Sequence, residues 1–321
     1  MAGKRKKLSN QGAGTKQSVN FATYIKRYWQ LYVLLALPLL YLLVFKYIPM
    51  VYVQIAFKQY KIGQSVWSMP LAKNGGFQYY IKAFKDRDFL YALRNTLTLN
   101  LKDLIFGFPA PIIFALILNE LPFQKFKKTV QTIAYMPHFL SWVIIGTLST
   151  QLFAQNSGMI NMVIKNLGGT AIPFTAESSH WVTNYIGWGI WQSFGWNSIV
   201  YLAAIAGISP DLYEAASMDG AGRFAKMWHI TLPSLKPTIV VLLIMNLGYI
   251  MGGGMERPMA LSNNLVMDRA DVIATYVYRV GIRGLQFSLT TAIGLFQSVI
   301  GVILILGTNW VSRRLGERGI W

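Results

Sequence analysis

Ser209–Pro237, SPDLYEAASMDGAGRFAKMWHITLPSLKP, is the longest well-formed polar stretch between two strongly apolar segments, and its reading decides the architecture. Ser209 stands as an N-cap with Pro210 at the first helical position, where a missing N–H costs nothing. Asp211 and Glu214 fall in the first turn, where the helix dipole favours acids. Asp219-Gly220 supplies a turn that ends this helix. Phe224, Met227 and Trp228 then recur at i, i+3, i+4 and predict one apolar face of a second helix. Pro233 and Pro237 mark its expected end. The stretch reads as two short helices at an elbow. Small Ala215 and Ala216 leave room there for another surface to approach closely.

Outward from the elbow the chain is apolar. Of its 321 residues 54% are hydrophobic and only 13% charged, too few charges for an ordinary soluble domain of this length. Several runs approach the twenty or so apolar residues that a bilayer-crossing helix requires. The hydropathy pattern predicts an all-α membrane protein with about six spans, near residues 29–48, 92–118, 133–154, 182–206, 238–255 and 288–310. Residues 1–24 are basic, then rich in Gly, Ser and Gln, and are expected to form a disordered tail. A signal peptide is the competing reading, but no small-x-small cleavage site follows Leu31–Phe45. The membrane region is expected over 25–311, with the elbow loop at 209–237 and a short second tail at 312–321. Pro109 and Pro111 are expected kink sites in the second span. Lys and Arg number sixteen on the segments placed inside and twelve on those placed outside, a modest bias that puts both termini in the cytoplasm.

The elbow also carries a resemblance. Glu214-Ala215-Ala216, Asp219-Gly220-Ala221, and then Ile230, Leu232 and Pro233 resemble the cytoplasmic EAA loop of permease subunits of bacterial ATP-binding-cassette importers. The likeness extends over roughly residues 25–321 and is greatest to the carbohydrate branch, in the style of complex polysaccharide and oligosaccharide permeases. Phe45–Tyr60 and the terminal Arg318–Trp321 are further features of that style. The resemblance implies the permease fold of type I importers, residence in the bacterial plasma membrane, and no cofactor in this chain. ATP and Mg would be held by two separate ATPase subunits, coupled through the nine residues just named. It further implies a second, homologous permease as heterodimer partner, an extracellular solute-binding protein, and an oligosaccharide cargo.

The residues themselves show no chemistry of their own. No GxxxxGK[ST] loop appears, and three histidines without cysteine or an HExxH pattern offer no metal site. The net charge of +18 is explained by basic membrane flanks, and no basic-aromatic nucleic-acid module interrupts the apolar pattern. Polar and aromatic groups at membrane depth are costly unless they face the protein interior or a wet cavity. Trp188, Trp191, Gln192, Trp196 and Asn197, with Asn246, Tyr249 and Gln297, are therefore the expected translocation-path residues. The competing reading gives the amides interhelical hydrogen bonds and the tryptophans a place at the membrane interface. Lys102 and Asp103 are expected to snorkel near a span's end, and Gly252–Gly254 to form a flexible end to the fifth span. The segment 46–90 carries a net charge of +5, which would favour an acidic cargo, although attraction to anionic lipid headgroups is the simpler reading. Two rivals remain open: a permease of the same kind for a non-sugar solute, and an ion-gradient-driven transporter. A membrane-bound enzyme would require clustered His, Asp or Glu, which the sequence lacks.

Overall fold

The computed structural model describes residues 21–314, 316 and 319, with side chains from residue 24 onward, and these are almost entirely helical. Among the described residues no strand forms, and Lys58 and Leu71 make a single isolated antiparallel bridge. The basic tail over 1–20 and most of Arg318–Trp321 lie outside the described residues. Residues 21–24, expected to belong to that tail, are already helical.

The chain divides into two units, Met1–Val53 and Gln54–Trp321. In the first, α1 (Phe21–Leu42) continues through a π segment, Leu43–Tyr47, into Ile48–Met50. The second unit holds α2 (Gln78–Lys85), α3 (Arg87–Asn119), α4 (Gln124–Tyr135), α5 (Trp142–Phe153), α6 (Met159–Asn166) and α7 (Ser178–Ala206). After these come α8 (Pro210–Met218), α9 (Arg223–Gly248), α10 (Glu256–Leu261), α11 (Met267–Ala270), α12 (Ile273–Val277) and α13 (Phe287–Arg314).

Four helical stretches among the described residues, Tyr24–Phe57, α3, α9 and α13, are long and apolar enough to cross a membrane. The pair α7–α8, bent by 71°, meets the same length and apolarity only when the two helices are taken together. The span expected at 133–154 is not one helix. Pro137 lies in a short 3-10 turn, Met136–Phe139, and Ser141 then caps a new start by accepting from the Ile144 amide at 3.4 Å. Only the 12 residues of α5 are left as apolar helix, about 18 Å at 1.5 Å per residue.

The span expected at 238–255 differs too. Its helix begins at Arg223, runs through Pro233 and Pro237, and ends at Gly248. Phe224, Met227 and Trp228 therefore open a long helix and do not form a separate short one. Proline in a helix interior loses one hydrogen bond and its ring meets the carbonyl four residues back. For Pro233 that carbonyl belongs to His229, inside the π segment Met227–Thr231, where the Leu232 amide bonds to Met227 five residues back and the turn is widened. The same arrangement recurs at Pro109, behind the π segment Asp103–Gly107, and at Pro49, behind Leu43–Tyr47. In α3 the helix thus continues past both prolines.

The second half of α3 packs on α7, and α9 packs on α13, with α5 against α10 and α4 against α7. Glycines set the closest of these crossings. A Cβ on Gly195 of α7 would fall on the Ala134 carbonyl of α4, and one on Gly248 of α9 would fall on Ile305 of α13. Gly195→Ala gains about 1 kcal/mol of helix propensity but must displace a backbone carbonyl. The expected net result is a loss of about 1–3 kcal/mol, read as a lower melting temperature of the detergent-purified protein. An unchanged or raised melting temperature contradicts this close approach.

Candidate functional site

Asp103 sits near the middle of α3, at the start of its π segment and directly after Lys102. It does not snorkel. Its carboxylate accepts two hydrogen bonds from Arg257 of α10, Nη1 to Oδ2 at 2.7 Å and Nη2 to Oδ1 at 3.1 Å. Nη2 also donates to the Tyr185 carbonyl of α7 at 2.6 Å, and the guanidinium lies 3.7 Å from the centre of the Tyr185 ring. A side chain on Gly189, one turn further along α7, would occupy the space of that guanidinium. The two charged side chains are 28% and 15% exposed, buried enough to need each other and open enough to face a cavity.

Two cavities meet at this pair, of about 730 Å³ and about 470 Å³. Asn100, Asp103, Tyr249, Gly252, Gly253 and Arg257 line both and so form the partition between them. The backbone that follows α9 is held into this partition. Asn100 Nδ2 donates to the carbonyls of Ile250 at 2.8 Å and Gly252 at 2.7 Å, while Gln297 Nε2 of α13 donates to Met251 at 2.5 Å. Gly252–Gly254 is thus a tethered wall segment and not a loose end, and Gly253 takes a φ of 151° that favours glycine. Asn100→Leu leaves two carbonyls without their donor, a cost on the order of 2 kcal/mol. Faster amide exchange confined to 249–254 is the expected readout, and unchanged exchange there rules out the tether.

The expected path residues separate into two groups. Asn197 and Asn246 line the smaller cavity, Gln297 the larger, and Tyr249 both. The Asn246 amide donates to the Leu242 carbonyl at 2.8 Å, one turn back on its own helix. Trp188, Trp191, Gln192 and Trp196 line neither cavity. Trp188 is buried edge-on to Phe153 and Trp191, Gln192 donates to the His138 carbonyl at 3.2 Å, and Trp196 stacks on the His138 ring at 4.5 Å. Trp188, Gln192 and Trp196 pack α7 onto the broken segment around α4 and α5, and Trp191 lies against Trp188 on α7 itself.

At the elbow, Ser209 caps α8 as its sequence dictates, accepting from the Asp211 amide at 3.3 Å. Gly220 takes a φ of 80° and closes the helix, with the Ala221 amide bonded to the Ala216 carbonyl at 2.8 Å. No residue of α8 is buried. Glu214, Ala215 and Asp219 are exposed, Ala216 and Ala221 half-buried. Met218 and Phe224 are 89% and 82% exposed, and Trp228 is exposed beside them. Ile230, Leu232 and Pro233 lie further on, along the first turns of α9, with Ile230 and Leu232 half-buried and Pro233 exposed. Tyr213 ties α8 to α9 through a hydroxyl contact with Thr231 at 2.9 Å.

Sequence reasoning missed Arg257, Asn100 and the pairing of Asp103. The available signal was an acid at membrane depth, Asp103, beside Lys102, and a base, Arg257, beside Glu256, charges that are costly there without a partner. Outside the spans, the segment after α10 is anchored by similar means. Asn95 donates to the carbonyls of Asp268 and Asp271, and Arg279 forks onto Asp271, which raises the guanidinium's pKa. Burial, and then a 2.6 Å hydrogen bond to Asp86, push the Tyr276 hydroxyl well above its ordinary pKa.

Residues 93–317 match the family model described as the binding-protein-dependent transport system inner membrane component. The chain belongs to that family. It is a multi-pass permease component of a transport system and not an enzyme. It is 42% identical to protein LplB of Bacillus subtilis (strain 168), over 95% of each chain. It is 42% identical to that organism's polygalacturonan/rhamnogalacturonan transport system permease protein YteP, over 91% of this chain and 90% of the relative. A solved bacterial alginate ABC transporter, in complex with an alginate pentasaccharide-bound periplasmic protein, superposes with a TM-score of 0.83 at 39% identity, over 94% of this chain and 99% of the neighbour's.

Proposed function

We propose that this chain is one of two permease subunits of an importer for oligosaccharides, with uronate-bearing polysaccharide fragments as cargo. The observation that carries the reading is the agreement of two relatives, each near 40% identity over at least nine-tenths of this chain, on acidic polysaccharides. The net +5 of residues 46–90 supports it, since a basic entry raises the local concentration of an acid. A homologous permease completes the pathway, and a solute-binding protein delivers the cargo from outside. Two ATPase subunits bind ATP and Mg and engage α8 through Glu214, Ala215 and Ala216. Both termini face the cytoplasm of a bacterial plasma membrane. The mechanism is alternating access: closure of the ATPase pair moves the elbow, and the spans turn the cavities from one side of the membrane to the other.

The test is uptake by vesicles holding the assembled complex, with a labelled panel of uronate oligosaccharides, neutral oligosaccharides and non-sugar solutes. ATP-dependent uptake of a uronate oligosaccharide is expected. Uptake driven by an ion gradient alone, or restricted to a non-sugar solute, would overturn the reading.

A further inference from the structure

Among the described residues, the charged side chains lining the two cavities are Asp103, Glu256 and Arg257. Their sum is −1, and the single cation is already engaged by a carboxylate on two hydrogen bonds. A cargo carboxylate entering here meets no free positive charge. A hydroxyl is met well. Each Asp103 oxygen keeps lone-pair capacity beyond its one bond to arginine, and Nη1 keeps a second N–H. Two adjacent hydroxyls can therefore bridge the pair, one donating to Asp103 and one accepting from Arg257. Beside it lies Tyr249, which lines both cavities and whose exposed ring offers an apolar face to sugar C–H groups. Asn197, Asn246 and Ser298 add neutral donors and acceptors around the same space.

We propose that Asp103, Arg257 and Tyr249 form a sugar subsite at the cavity partition, and that it reads the diol of a pyranose ring and not its carboxylate. The proposal rests on the oligosaccharide reading and deepens it. Any selection for acidity then lies outside this wall, and this wall selects for hydroxyls and ring shape. Arg257 stays on Asp103 with the site empty or occupied.

The test measures equilibrium binding to the complete complex in lipid nanodiscs, without the solute-binding protein. The probes are a uronate trisaccharide and its carboxyl-reduced, neutral counterpart. The double variant Asp103→Asn with Arg257→Gln keeps a neutral hydrogen-bonded pair, and Tyr249→Leu changes an exposed residue, so that both keep the fold, as monodisperse elution and a cooperative melting transition verify. Each is expected to weaken the two probes alike, by about tenfold, with their ratio unchanged. Asp103→Asn alone frees the cation and is expected to shift the ratio toward the acidic probe. The subsite is refuted if the double variant and Tyr249→Leu leave both affinities at wild-type values. If the double variant weakens the acidic probe alone, Arg257 reads carboxylates and the diol assignment is wrong. If the wild-type complex binds neither probe, the oligosaccharide reading itself fails, an outcome separate from both.

Discussion

Arg257→Ala is expected to remove most of the folded protein from detergent extracts, and Asp103→Asn with Arg257→Gln to restore it. The arginine joins three helices, holding Asp103 of α3, the Tyr185 carbonyl of α7 and its own backbone on α10. Truncating it leaves the partly buried Asp103 carboxylate in the middle of α3 without its hydrogen-bonded partner, a cost of about 3–5 kcal/mol, toward the lower figure because the pair is partly open. That is a large fraction of the stability of an ordinary domain. The double replacement removes both charges together and keeps a donor facing an acceptor, so most of the loss is recovered. Monodisperse yield and melting temperature of the three proteins decide the matter. If the alanine variant is as stable as wild type, the pair does not hold α3 to α10.

Gly220→Pro is the second large effect: the chain still inserts in the membrane but no longer brings an ATPase with it on purification. Gly220 stands at a φ of 80°, and its amide donates to the Ser217 carbonyl at 3.1 Å. Proline is fixed near −65° and has no amide hydrogen, so the close of α8 is rebuilt and its exposed face is redirected. Gly220→Ala is milder, because nothing lies within 4 Å of the added carbon and only the left-handed backbone costs, about 1–2 kcal/mol. Partial retention of the ATPase is expected there. Glu214→Lys leaves the shape alone and reverses an exposed charge, and loss of the ATPase in that variant assigns the contact to charge as well as form. Wild-type recovery in both Gly220→Pro and Glu214→Lys would sink the coupling role of the elbow.

What was legible in the sequence was local. The start of α8 is written in Ser209 and Pro210 and its close in Gly220, because capping and a left-handed turn depend on residues a few positions apart. The membrane character of α3, α9 and α13 follows from long apolar runs. Proline misled in both directions. Pro233 reads as a stop but is accommodated by a π turn, while Pro137 breaks a run that reads as one span. The cavity wall was half legible. Tyr249, Asn246, Asn197 and Gln297 could be chosen for polarity at depth, but hydropathy says nothing of azimuth, so the tryptophans on another side of α7 were chosen with them. The Asp103–Arg257 pair joins residues 154 positions apart, and only the folded chain brings them together.

The π turns placed two residues ahead of Pro49, Pro109 and Pro233 also fix the helices' phase. A π turn holds one residue more than an α turn, and squeezing it out rotates everything on one side by about 100°. With an ordinary residue at position 233 the missing amide would return and the turn at Met227–Thr231 would close to α geometry, leaving Pro237 as the remaining proline of α9. Phe224 and Trp228 would then swing around the axis relative to Gly248 and the wall beyond it. One absent hydrogen-bond donor therefore sets the compass bearing of the elbow's aromatic edge, seen from the cavity at the other end of the same rod.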